Sequence, residues 1–143
     1  MEASFSLYRK IRRLYRLGQR YFMSHMEHPE LTPSELSLLR HVGYHGEVSQ
    51  RHLAEDMNVD KAMVTRILQK LETKGYLIRT EDENDARSKK VTALPPAKKI
   101  HLESRGIDEE FSDLLTAGFS EEELALLDRL LSQMLERARG LQP

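Results

Sequence analysis

Residues 49–79 read SQRHLAEDMNVDKAMVTRILQKLETKGYLIR, and their punctuation decides the fold. Ser49 is a good N-cap for a short helix in which Leu53, Ala54 and Met57 face inward. Met57–Asn58–Val59 reads as a tight turn. Asp60 caps a second helix, expected over 61–74, where Val64, Ile67, Leu68 and Leu71 recur at the i, i+3, i+4, i+7 spacing of one buried face. Gly75 then supplies a left-handed stop. Directly afterwards the periodicity changes. YLIRTE (76–81) and KKVTAL (89–94) are short extended runs on either side of DENDARS (82–88), the pattern of a β-hairpin with a polar loop.

Outward from this centre the chain is helical. Upstream, LTPSEL (31–36) marks a helix start. Thr32 is the cap, Pro33 the first helical residue, Glu35 the partner in a capping box, and Leu31 a staple onto Leu36. Leu36, Leu39 and Val42 continue that helix's buried face, and Gly43 and Gly46 bracket its end. Further upstream, residues 4–26 read as a long helix with two adjacent apolar stripes, Leu7, Ile11, Leu14, Gly18, Tyr21 and Tyr8, Tyr15, Phe22. Downstream, Pro95 and Pro96 open a helix over about 96–116, and Ser120 with Glu123 forms a second capping box. Leu124, Leu127, Leu131, Met134 and Leu135 line the seam of that last helix. The expected fold is mainly α with a small β-hairpin wing: a winged helix-turn-helix over 31–95, flanked by helical regions at 1–30 and 96–143, in one compact domain overall. The long flanking helices carry wider apolar faces than one winged domain can cover.

The chain has 143 residues, of which 39% are hydrophobic and 31% charged, a composition that suits one globular domain. It contains no Cys, which excludes disulfides, thiolate metal sites and cysteine redox sensing. No apolar run approaches the ~20 residues of a membrane span, and the N-terminus lacks a leader's uninterrupted apolar stretch, so a cytoplasmic protein with no membrane partner is expected. The net charge of −1 hides unlike ends. Tyr8 to Tyr21 holds six cations and no acid, whereas Ile107 to Asp128 holds eight acids and neither Lys nor Arg.

A helix-turn-helix lays its second helix in the major groove with its leading residues at the base edges. Opposite the buried face of 61–74 stand Lys61, Ala62, Thr65, Arg66, Gln69 and Thr73. Arg66 can donate two hydrogen bonds to a guanine edge, and Thr65 and Ala62 can meet a thymine methyl. Lys61 suits a phosphate, as do Ser49 and Gln50 at the start of the preceding helix. Gln69 completes the exposed face. Double-stranded DNA is therefore the expected partner.

The same stretch, followed by DENDARSKKVTAL (82–94), resembles the MarR family of transcriptional regulators over nearly the whole chain. Leu71, Lys74, Gly75, Tyr76, Leu77 and Arg79 match its LxxKGYLxR-like helix end. Asp85, Arg87, Val91 and Leu94 match its wing. ALPPAKK departs from the family pattern, which commonly has Thr after the Leu and a Gly soon after. The resemblance implies a homodimer on a pseudo-palindromic operator, with terminal helices of two copies intertwined through Leu7, Ile11, Leu14, Leu124, Leu127, Leu131, Met134 and Leu135. It implies that Arg87 enters a minor groove while Asp85 either holds its guanidinium or pairs with a cation elsewhere, with Lys89 and Lys90 at flanking phosphates. It also implies a repressor relieved by a small aromatic or anionic effector, in a crevice lined by Tyr15, Arg16, His41 and Tyr44.

No nucleophile motif or phosphate-cradling Gly loop is present, so no enzyme and no cofactor are expected. His41 and His45 stand four apart on one helix, but zinc needs further ligands, and Glu35 and His101 are not fixed by spacing. The expectation is no metal. The rival function is a winged-helix protein-interaction module without DNA binding. The near-neutral charge favours it, and Arg66, Arg87, Lys89 and Lys90 oppose it.

Overall fold

The structure, a computed structural model, describes residues 2–143, with side chains from Ser6 onward. Its elements run α1 (Glu2–His25), α2 (Pro33–His45), β1 (Glu47–Ser49), α3 (Gln50–Met57), α4 (Lys61–Thr73), β2 (Leu77–Glu81), β3 (Lys89–Ala93), α5 (Pro95–Leu115) and α6 (Glu121–Gly140). The chain divides into two compact units, residues 1–108 and 109–143. The mainly helical architecture with a small wing, expected from the sequence, is the one the chain adopts.

Caps set most boundaries of the first unit. The Ser49 hydroxyl accepts the His52 N–H at 3.0 Å and starts α3. Asp60 Oδ1 accepts the Ala62 N–H at 3.3 Å and starts α4. Asn58, at φ 51°, makes the left-handed turn between them, and Gly75, at φ 85°, lets the chain leave α4 for the sheet. Leu38, Leu39, Val42, Leu53, Val64, Leu68, Leu71, Leu77 and Val91 have no exposed surface. They bring α2, α3, α4 and the two long strands onto one core, so the helix-turn-helix and the wing share their hydrophobic anchor.

Three features differ from the sequence reading. The hairpin has a third strand: β1 pairs antiparallel with β3, Val48 opposite Val91, giving the order β1-β3-β2. The chain therefore passes directly from strand to helix at Ser49–Gln50. Gly43 is interior to α2 and does not end it. A Cβ there would lie 2.5 Å from His101 Cβ and 2.9 Å from the Ala97 carbonyl, so this glycine permits the close approach of α2 and α5. The α2 capping box is also incomplete. Thr32 Oγ1 accepts the Glu35 N–H at 3.2 Å, yet the Glu35 carboxylate receives the Thr32 hydroxyl rather than its backbone N–H.

Glu35 has a second task. It is buried, and Lys74 Nζ reaches Glu35 Oε2 at 2.7 Å while also donating to the Glu30 carbonyl at 2.7 Å. The Tyr76 hydroxyl donates to Glu30 Oε1 at 3.0 Å. His28 bridges Glu30, at 3.1 Å, and Glu103 of α5, at 2.7 Å. Its pKa is raised above the ordinary 6.5, chiefly by the hydrogen bond to Glu103 and against the opposing pull of burial.

Two outcomes follow. Gly43→Ala forces backbone and side chain apart between α2 and α5 and should cost about 1–3 kcal/mol in a urea unfolding series. Because folding raises the His28 pKa, its contribution is complete below 6.5 and is lost as pH rises through the higher folded value. Urea midpoints measured from roughly pH 6 to roughly pH 8 should fall in the native protein and fall less in Glu103→Gln.

Candidate nucleic-acid interface

Between α3, α4 and the wing lies an open cavity of about 500 Å³. Its walls include Gln50 and Arg51 from α3, Lys61, Thr65 and Gln69 from α4, and Asp85, Arg87, Ser88 and Lys89 from the wing. Six of the ten side chains expected to contact DNA thus share one concave surface: Gln50, Lys61, Thr65, Gln69, Arg87 and Lys89. Ser49, Ala62, Arg66 and Lys90 are not among its walls. Ala62 and Arg66 are exposed on α4, whereas Ser49 and Lys90 are partly buried.

Geometry separates these residues by what they have left to offer. Gln50 Nε2 donates to Thr65 Oγ1 at 2.6 Å, and Thr65 Oγ1 donates to the Lys61 carbonyl at 2.9 Å. The Thr65 hydroxyl is thereby engaged on both sides, and its methyl is the remaining contact group. The amide of Gln50 joins α3 to α4, and its Oε1 is buried with no hydrogen-bond partner among the described residues. Lys90 Nζ lies 3.4 Å from Glu47 Oε1, across the β1–β3 pairing. Lys61, Arg66, Gln69, Arg87 and Lys89 are exposed.

The wing tip is built from two successive aspartate turns. Asp82 Oδ1 accepts the Asn84 N–H at 3.0 Å, and Asp85 Oδ1 accepts the Arg87 N–H at 3.0 Å. The Asp85 carbonyl also accepts the Ser88 N–H at 3.0 Å. An Asp side chain suits this position because its short carboxylate reaches the backbone two residues on. Of the two pairings open to Asp85, the Arg87 guanidinium and a cation elsewhere, the second is the one formed. The carboxylate takes the Arg87 backbone N–H, and its other oxygen lies 3.6 Å from Arg51 NH1. Arg87 is thereby presented from a braced loop with its side chain exposed.

Sequence reasoning missed Arg51, and it gave Arg79 a place in the family motif but no structural role. Arg51 fastens the wing to α3: its N–H donates to Ser88 Oγ at 3.2 Å, and its guanidinium spans Glu55, at 3.3 Å, and Asp85. Only its place in the first turn of α3, facing the returning strand, could have signalled this. Arg79 is largely buried beside Glu72, whose Oε2 accepts the Arg79 N–H at 2.9 Å. The guanidinium Nε is 3.5 Å from the same oxygen without hydrogen-bond geometry, so charge proximity and not a hydrogen bond holds that end.

The four residues expected at an effector crevice are placed differently from one another. Tyr15 and Tyr44 are exposed, and Tyr15 Oη accepts from Gln19 Nε2 at 2.9 Å. Arg16 is exposed on α1. Tyr44 meets His45 and His101 edge-on, with ring centroids 5.0 and 6.0 Å apart. His41 Nδ1 bonds the Ser37 carbonyl at 2.9 Å.

Asp85→Ala should speed amide hydrogen exchange at Arg87 and Ser88, because it removes the acceptor that fixes the turn. Arg51→Ala should change those amides less and shift global stability by no more than ~1 kcal/mol, as expected for an exposed ion pair.

The MarR family model matches residues 31–89, which span α2, the helix-turn-helix and the wing. The curated protein YdgJ of Bacillus subtilis (strain 168), an uncharacterized HTH-type transcriptional regulator, is 30% identical over 112 residues, covering 78% of this chain and 68% of its own. YhjH of the same organism, described likewise, is 27% identical over 118 residues, covering 80% and 67%. The crystal structure of a MarR transcriptional regulator from Methanosarcina mazei Go1 superposes with a TM-score of 0.81 at 26% identity, covering 95% of this chain and 98% of that one. A mutant MarR from E. coli, complexed with operator DNA, shares the fold at 22% identity, with a TM-score of 0.69 and coverage of 91% and 94%. With a relative of 30% identity spanning most of both chains and a family model seated on the winged helix-turn-helix, this chain belongs to the MarR family of transcriptional regulators.

Proposed function

We propose that the chain regulates transcription as a homodimer that binds a pseudo-palindromic duplex sequence-specifically through α4 and the wing. The observation that carries this reading is the shared cavity wall. The wing's Arg87 and Lys89 face the same concavity as Lys61 and Gln69 of α4. A protein-interaction wing has no need of cations at both places, and a phosphate-lined groove does. Arg66 serves as the base-reading donor from the exposed face of α4, with the Thr65 methyl and Ala62 beside it. Ser49 and Lys90 approach phosphates from the margin. Gln50 supports the interface by fixing Thr65.

Dimerisation rests on a second observation. Among the described residues, α6 has no buried side chain, although Leu124, Leu127, Leu131, Met134 and Leu135 follow its helical period. Leu7 and Leu14 of α1 are about half exposed, with Ile11 partly buried between them. Apolar surface of this extent is stable in water only when covered. A second copy covers it with the same seam. Residues 31–95 then form the reading head, and 1–30 with 96–143 the pairing region. Two heads about 34–36 Å apart would meet successive major grooves. The regulator is read as a repressor. A small aromatic or anionic effector near Tyr15, Arg16, His41 and Tyr44 would release it by preferring a head spacing that does not fit the operator.

Titration against genomic fragments tests the reading. Bound fragments should show log affinity falling linearly with log salt, by about 0.9 for each phosphate neutralised. Arg66→Ala should relax preference at one base position by ~1–3 kcal/mol while leaving the salt slope nearly unchanged. No retarded fragment at low salt, or a monomer by sedimentation at micromolar concentration, would overturn it.

A further inference from the structure

Three of the six histidines, His41, His45 and His52, come together on α2 and α3, and none of them lines the cavity of the interface. His45 ends α2, and His52 and Asp56 stand four apart on α3. One ligand atom from each of the three lies within 4.8 Å of the others. The His45 and His52 rings are 5.5 Å apart and nearly perpendicular, so neither blocks the other's nitrogen by stacking. His41, one turn before His45, brings its Nε2 to 3.8 Å from Asp56 Oδ2.

We propose that the C-terminal turn of α2 and the body of α3 form a site for a transition-metal dication, zinc foremost, with His45, His52 and Asp56 as ligands and His41 as the fourth. The nothing-but-surface explanation accounts for one exposed carboxylate. It does not account for three imidazoles converging on that carboxylate from two helices. Each helix supplies its pair at i and i+4, the spacing that stacks two side chains on one face. A tetrahedral zinc site with bonds of about 2.0–2.1 Å needs its donors about 3.3–3.5 Å apart. The side chains of His45, His52 and Asp56 are exposed and free to rotate inward over the remaining distance.

The tautomer of His41 supports the assignment. Its Nδ1 is 2.9 Å from the Ser37 carbonyl, which only accepts, so the Nδ1 carries the proton. In the neutral ring this leaves the Nε2 lone pair pointing toward Asp56. A ligating histidine is held in the same way, with its far N–H on a carbonyl or carboxylate. Three imidazoles and one carboxylate favour zinc, copper or nickel over magnesium and calcium, which prefer all-oxygen shells. The sequence could show His41 and His45 but not their partners. Glu35 is engaged by Lys74, and the ligands that complete the set come from α3.

The site stands apart from the DNA reading and is tested without DNA. Purified full-length protein is titrated with zinc against a chromophoric chelator, and separately with cobalt(II) as a spectroscopic probe. One equivalent of zinc should bind per chain and raise the melting temperature to a plateau. Cobalt should give the intense visible absorption of tetrahedral coordination, and excess magnesium should displace neither ion. His45→Ala, His52→Ala and Asp56→Asn should each weaken zinc by at least about tenfold, since even an outer-shell change lowers metal affinity ~10–100-fold. His25→Ala, on α1, should bind as the native chain does. His25, His45, His52 and Asp56 are exposed and His41 is half-buried, and metal-free melting temperatures matching the native protein verify folding in each variant. Zinc affinity unchanged in a His45→Ala, His52→Ala double variant would overturn the site. Unchanged affinity in His41→Ala would overturn the fourth-ligand assignment.

Discussion

The fold turns on one buried carboxylate. Glu35 sits in the first turn of α2 with almost no contact with water, and Lys74, the residue that closes α4, brings its ammonium against it. A buried charge without a partner costs several kcal/mol, so the arrangement persists only where both chain segments meet. That requirement ties the entrance of α2 to the exit of α4. Lys74 also takes the Glu30 carbonyl, and Tyr76 takes the Glu30 side chain. The direction in which α4 points is therefore set at its far end, by groups that never face the cavity. Gly75 turns the chain immediately after this anchor, and the Tyr76 carbonyl accepts the Leu94 N–H at 3.0 Å, which fixes the root of the wing.

Much of this was legible in the residues because local chemistry dictates it. Ser49, Asp60 and Ser120 cap their helices as their side chains allow. Gly75 adopts the left-handed conformation that only glycine takes easily. Val64, Leu68 and Leu71 are buried at their helical period, with Ile67 partly so. What escaped was non-local. Strand β1 has three residues, one of them buried, and is defined by pairing with a strand more than forty positions away. The partner of Asp85 is Arg51, and the capping role of Glu35 was displaced by Lys74, both separated widely in sequence. Leu38 was also missed, because α2 is buried on two sides and a single stripe does not describe it.

The candidate interface divides on the same line. Which α4 residues face outward follows from periodicity, so Lys61, Ala62, Arg66 and Gln69 could be read directly. Which polar groups remain free does not. Gln50 and Thr65 look equivalent to the others in the sequence, yet they satisfy one another across two helices. The seam of α6 is different. A capped helix with an apolar seam and, among the described residues, no buried side chain is a sequence pattern and a structural observation at once.

The strand that was not foreseen has a mechanical meaning. With β1 running straight into α3 and laced to β3, the wing is an outrigger lashed to the reading head rather than a loop hung from it. Arg51 adds a second lashing at the tip. The distance from Arg87 to the leading turn of α4 is then a fixed gauge. Under the proposed function, a duplex must conform to that gauge, and sequences whose grooves cannot widen or narrow to meet it are refused before any base is read.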